Sequence, residues 1–153
     1  MRQFFKKTIL LVALSLCGCV QNEQSSYKTS FSSTTTSVSS LSYNNVKDKT
    51  IFWSNIFGID LDSYYVYIFS KTCNHCASLK QFILEKALER DDIYFVESSD
   101  EVVFIKDTSQ TIGLTSVEEL GIYGYPTLLK IEHKTLVKNL AGVSLIRSEL
   151  SIE

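Results

Sequence analysis

The longest stretch of aromatic and β-branched residues in the chain is Tyr64-Tyr65-Val66-Tyr67-Ile68-Phe69. Such an uninterrupted apolar run predicts a central strand buried on both faces. Past Ser70-Lys71-Thr72-Cys73-Asn74-His75-Cys76, residues 77–90 are mostly good helix formers, with Leu79, Phe82, Ile83 and Ala87 on one face. The turn Asp91-Asp92 leads to a second short apolar run, Ile93-Tyr94-Phe95-Val96. Strand, helix and strand in this order predict a βαβ unit with parallel pairing. Further on, Leu128-Leu129-Lys130-Ile131 and Leu136-Val137-Lys138-Asn139-Leu140 read as a hairpin across His133-Lys134, and Ser144 to Leu150 as a closing helix.

Three segments carry weaker patterns. Ile51, Phe52, Ile56 and Phe57, with Trp53 beside them, have helical spacing, and Gly58 would end that helix. Thr115 and Glu118 form a capping-box pattern that predicts a helix start over Thr115–Leu120. Val102-Val103-Phe104-Ile105 fits a short strand or half of a buried helix equally well, so residues 100–114 stay open.

The first third is chemically different. Arg2, Lys6 and Lys7 precede an apolar run from Ile9 to Leu16, broken by Ser15. That run falls short of the about 20 residues of a membrane span and matches a secretory signal peptide. Leu16-Cys17-Gly18-Cys19 resembles the lipobox of bacterial lipoproteins, where a small residue precedes the lipidated Cys. Cys19 follows Gly18 and fits as the lipidation site; Cys17 follows the bulky Leu16 and fits less well. Residues 1–18 would then be a removable signal, and two acyl chains on Cys19 would give a stable anchor. From Gln21 to about Asn45, Ser, Thr, Asn and Gln dominate without apolar period, as a disordered stalk requires. The expected organisation is a signal over 1–18, a lipidated Cys and tether over 19–45, and a folded domain over 46–153. Roughly 25 residues of such coil reach about 25–30 Å.

Composition narrows the function classes. The 153 residues carry 15 Lys+Arg against 17 Asp+Glu, a formal charge of −2. Loss of residues 1–18 removes Arg2, Lys6 and Lys7 and leaves the mature chain near −5. No basic field remains to hold a nucleic acid or an anionic head group, so the lipid, not charge, would bind the membrane. No Ser/His/Asp constellation or Gly-rich phosphate loop is present.

The chemistry gathers where the strongest strand meets the strongest helix. A helix N-terminus carries partial positive charge, which favours a thiolate over a thiol. His75 stands between Cys73 and Cys76 in sequence, and the two-residue spacing lets the second sulfur attack a mixed disulfide on the first. The only proline, Pro126, follows Gly124-Tyr125 and precedes a strand.

These features together, the strand–Cys-x-x-Cys–helix unit, the Tyr125-Pro126-Thr127-Leu128 strand, the following hairpin and Gly142, resemble a thioredoxin-fold oxidoreductase from about Ile51 to the C-terminus. The resemblance implies an α/β domain with a central mixed sheet flanked by helices. It implies that Cys73 is the nucleophile, Cys76 the resolving thiol and Pro126 a cis-proline lying against the pair. Tyr125 would face the substrate with Asn74 beside it, and His75 would stabilise the thiolate. No dissociable cofactor and no metal are implied. The partners would be protein thiols and disulfides, with room for a membrane redox partner and no nucleic acid, and the protein would work as a monomer on the extracytoplasmic face of a bacterial cell membrane. The chain departs from thioredoxins at Thr72 and at Asn74-His75, where the family carries Trp and Gly-Pro. Tyr67 replaces a buried Asp six residues before the first Cys, and no clear first strand precedes the first helix.

Other readings of the pair remain at this point. It could be a structural disulfide in a surface protein-binding module, although so short a loop gives little entropic stabilisation. A metal site would have to draw on Cys73, Cys76, His75 and His133, too few and badly spaced for a closed tetrahedral shell.

Overall fold

The computed structural model describes residues 40–152. Strand β1 (Ser63–Phe69) is followed by helix α1 (Asn74–Glu89), β2 (Ile93–Glu97), β3 (Thr127–Glu132), β4 (Thr135–Ala141) and α2 (Val143–Leu150), with short 3-10 segments at Tyr43–Lys49, Trp53–Asn55 and Thr108–Thr111. The four strands lie in the order β2-β1-β3-β4. β1 pairs parallel with β2, Tyr67 opposite Phe95, and antiparallel with β3, Tyr67 opposite Leu128. The uninterrupted apolar run is thus an inner strand, buried from Tyr64 to Phe69. A mixed sheet with this order and these helices is the thioredoxin-like arrangement.

The two faces of β1 feed two cores, because successive strand side chains alternate. Tyr65, Tyr67 and Phe69 join Ile93, Phe95 and Leu128 under α1 and α2. Helix α1 meets them with Cys76, Leu79, Ile83, Leu84 and Ala87, while Phe82 is only partly buried. Tyr64, Val66 and Ile68 point the other way, onto Trp53, Ile56, Leu120 and Ile122. Among the described residues, irregular chain and not a long helix covers that second face.

Tertiary hydrogen bonds explain where the weaker patterns fail. The helix expected over Ile51–Phe57 is a 3-10 turn at Trp53–Asn55, because Thr50 bridges Phe95 and the Ile51 amide donates to the Phe95 carbonyl at 2.8 Å. That contact is one extended step against β2, and among the described residues it is what stands in place of a first strand. The helix expected from Thr115 does not form. Gly113 N–H donates to Leu136 O and Leu136 N–H to Leu114 O, both at 2.8 Å, so the chain just before Thr115 runs along the edge of β4, and the segment after it closes one turn only, Leu120 N–H donating to Val117 O at 3.1 Å. The open segment 100–114 resolves into an isolated parallel bridge, Phe104 to Ile122, and the 3-10 turn at Thr108–Thr111.

The folded part also begins before Val46. Leu41 and Tyr43, in the stretch that composition assigns to the tether, pack against the α1 side of the sheet. The Tyr43 ring stacks on Phe69 with centroids 4.0 Å apart. The signal segment, Cys19 and the tether up to residue 39 lie outside the described residues.

Candidate active site

β1 ends at Phe69, and the chain turns through Ser70 to Thr72 before α1 starts. Cys73 is the N-cap of α1 in extended conformation, and its sulfur takes the role that a Ser or Asp oxygen usually fills: it accepts the Cys76 amide at 3.2 Å. One of the free amides of the helix's first turn is therefore aimed at the Cys73 sulfur, the arrangement that stabilises negative charge there. On its other side the Cys73 thiol donates to the Tyr125 carbonyl at 3.5 Å. The Tyr125–Pro126 peptide bond is cis, and Pro126 is buried. The Gly142 amide donates to the Pro126 carbonyl at 2.9 Å, which ties this loop to the end of β4.

The two cysteines are unequal. Cys73 is half-buried, whereas Cys76, one turn into α1, is 1% exposed. Burial pushes the Cys76 thiol up to about 12; the neighbouring Cys73 adds to this, and the Ser70 backbone and the Tyr67 hydroxyl oppose it. Neither sulfur is bonded to the other. Asn74 and His75 are exposed in the first turn, where the His75 carbonyl accepts Ser78 Oγ at 2.8 Å. Among the described residues no hydrogen bond joins the His75 ring to either sulfur.

The structure therefore brings Cys73, Cys76, Asn74, His75, Tyr125 and Pro126 together at one end of the inner strands, after β1 and before β3. His133 is not with them. It sits exposed in the β3–β4 turn, beside the start of β1, at the opposite end of the strand from Cys73. Among the described residues no group of three or more His, Cys, Asp or Glu could hold a metal ion.

Sequence reasoning missed two contributors. Phe104 is exposed and packs edge-on against Tyr125 with centroids 5.3 Å apart, which places an apolar ring beside the residue whose carbonyl meets Cys73. Its pattern was too short to assign to any element. Tyr43 lines a cleft of about 350 Å³ with Ser42, Ser70, Lys71, Cys76 and Lys80. The polar residues around Tyr43 gave no periodic signal for it.

No protein-family model matches the sequence, and no curated protein does. Similar solved structures are thioredoxins. The chain is 17% identical to thioredoxin f2 of Chlamydomonas reinhardtii, over 67% of this chain and 91% of that one, with a TM-score of 0.44. Thioredoxin f from spinach chloroplast, long form, is 16% identical over 68% and 82% of the two chains, TM-score 0.46. Mitochondrial thioredoxin 3 from Saccharomyces cerevisiae, in its oxidised form, is 14% identical over 68% and 92%, TM-score 0.45.

Proposed function

We propose that this chain is a membrane-anchored thiol–disulfide oxidoreductase that exchanges disulfides with protein substrates outside the cytoplasmic membrane. The observation that carries the reading is the asymmetry of the pair. A half-exposed sulfur caps α1 and receives its amide at 3.2 Å, with a buried thiol one turn behind it. A nucleophile needs access and a stabilised anion; a resolving thiol needs to stay protonated until a mixed disulfide forms beside it. The Cys73 thiolate attacks a substrate disulfide, and Cys76 then displaces the substrate from Cys73. Substrate backbone runs past Tyr125 and Pro126, with Asn74 and Phe104 at its sides. His75 adds to the stabilisation of the thiolate. The cysteines are themselves the redox centre, so no dissociable cofactor is required.

The anchor rests on Leu16-Cys17-Gly18-Cys19 and the apolar run before it. Lipidation at Cys19 would hold the domain on the extracytoplasmic face as a monomer on a Ser/Thr-rich tether, within reach of a membrane redox partner.

Insulin-disulfide reduction by the domain tests the reading. Activity should be present in the wild type and abolished in Cys73→Ser. Undiminished biological function of Cys73→Ser in cells would support a protein-binding module with a structural pair instead. For the anchor, Cys19→Ala should move the protein from the membrane fraction to the soluble fraction; retention on the membrane would refute lipidation there.

A further inference from the structure

Tyr67 projects from the middle of β1 into the α1-side core and is fully buried. Its ring is stacked on Phe69 and set edge-on to Phe95, both with centroids 5.8 Å away. Its hydroxyl makes no hydrogen bond of ordinary geometry among the described residues, with the Tyr43 hydroxyl as a longer-range neighbour. A buried hydroxyl without a partner is destabilising, and a Phe would fill the same space without that cost. Tyr67 and Cys76 belong to one buried cluster, Cys73 and Tyr43 pack against it, and all three groups act electrostatically on the hydroxyl. A donor with no acceptor in the resting protein, beside a thiol that must become an anion during exchange, points to an acceptor that exists only in the reaction.

We propose that the Tyr67 hydroxyl donates a hydrogen bond to the Cys76 sulfur as that sulfur becomes a thiolate, and that Tyr43 holds the hydroxyl in place from the cleft side. This deepens the oxidoreductase reading above and rests on it. In the step concerned, Cys73 carries the substrate in a mixed disulfide. The Cys76 thiol releases its proton to water in the cleft lined by Tyr43, Ser42 and Ser70. The Cys76 thiolate forms the Cys73–Cys76 bond, the bond from Cys73 to the substrate breaks, and the electron pair leaves with the substrate sulfur as a thiolate. The protein pair is oxidised by two electrons and the substrate disulfide is reduced by two. Tyr67 transfers no proton. Burial raises its phenol far above the thiol range, so it acts as a neutral donor and not as a base.

Other charged groups near Cys76 are already engaged. Lys71 pairs with Glu97 at 2.8 Å, and Lys80 lies over the Tyr43 ring at 5.4 Å. Tyr125 sits on the Cys73 side, with its own hydroxyl under the influence of Ser98. Of the two neutral hydroxyls near the buried sulfur, Tyr67 is the fully buried one and Tyr43 stands on the cleft side.

The reduced protein reacted with the aromatic disulfide DTNB separates the two steps, since Cys73 attack and Cys76 resolution each release one thionitrobenzoate. In Tyr67→Phe the first release should keep the wild-type rate. The second should slow about tenfold, with its pH profile displaced upward, the loss expected for one charge-assisted hydrogen bond. Tyr43→Phe, at a half-buried position that tolerates the change, should displace the second profile in the same direction by less. Wild-type rate and pH profile for the second release in Tyr67→Phe would overturn the proposal. So would equal slowing of both releases with unmoved profiles, which marks a packing defect. A wild type that gives only one release would overturn the oxidoreductase reading itself, and the proposal with it.

Discussion

At the residue scale, the two cysteines differ because one caps a helix and the other is sealed under it. Burial holds the Cys76 thiol near 12, against 9.0 for the unperturbed group. Tyr43 is likewise raised to about 12, first by burial and then by the cysteines beside it. A folded-state value above the unfolded one means the native protein keeps protons that the unfolded chain releases, so the resulting stability is lost as pH rises. The reduced domain should therefore lose thermal stability between about pH 9 and 12, with the early part of the fall missing in the oxidised domain, which has no Cys76 thiol. Melting curves of both forms across that range check it; parallel curves would mean that Cys76 is not the source. His75 is exposed one residue before Cys76 and stands between the two sulfurs in the first turn of α1. Replacement His75→Pro should make the pair more reducing by tens of millivolts, where about 30 mV is a tenfold change in equilibrium constant. Equilibration with glutathione buffers measures it, and an unchanged potential would leave the helix end as the sole determinant.

At the scale of elements, α1 is capped at one end by its own N-cap residue and at the other by a group from elsewhere in the chain. Its N-terminus rests on the Cys73 sulfur. At its C-terminus the Lys49 ammonium donates to the Ala87 carbonyl at 2.7 Å and to the Arg90 carbonyl at 2.5 Å, which satisfies carbonyls the helix leaves open. Lys49 lies in the 3-10 segment Tyr43–Lys49, so the N-terminal segment clamps the helix that carries both cysteines. Lys49→Met keeps the stem and removes the charge. It should cost about 1–2 kcal/mol of stability, since hydrogen bonds to a charged group are worth somewhat more than neutral ones. Urea unfolding gives the value; a loss below a few tenths would show the clamp to be incidental. The β3–β4 turn is set in the same local way: His133 and Lys134 both take positive φ, 49° and 61°, as a two-residue hairpin requires.

At the scale of the whole molecule, the sheet has one face under helices and one under irregular chain. The site sits where β1 hands over to α1 and the loop before β3 comes alongside. The N-terminal boundary matters to this arrangement, because Tyr43 both stacks on Phe69 and lines the cleft beside Cys76. A chain starting at Val46 should be less stable than one starting at Ser40 by about 2–3 kcal/mol, the order expected for losing one aliphatic and one aromatic side chain that are partly buried. It should also resolve mixed disulfides more slowly. Denaturation of the two forms side by side decides this, and equal midpoints would return residues 41–45 to the tether.

The sequence by itself determined the elements whose pattern is strong and local. The all-apolar strand, the helix after the Cys pair, the second parallel strand, the hairpin and the closing helix all stand where their periods placed them, because side-chain alternation and helical stripes are properties of neighbouring residues. The same locality placed Cys73 and Cys76 at a strand–helix junction. Only the tertiary structure decided what depends on distant partners. The segment after Leu114 has a capping-box pattern, yet it forms no helix; the backbone at Gly113 and Leu114 just before it is bonded to Leu136 of β4, and Leu120 closes only a single turn on Val117. Tyr43 lies among polar residues and reads as tether, but its ring finds Phe69. The Tyr125 carbonyl reaches Cys73 across 52 residues, and the orphan hydroxyl of Tyr67 lies close to Cys76. Such meetings are set by how the layers pack, and no spacing along the chain encodes them.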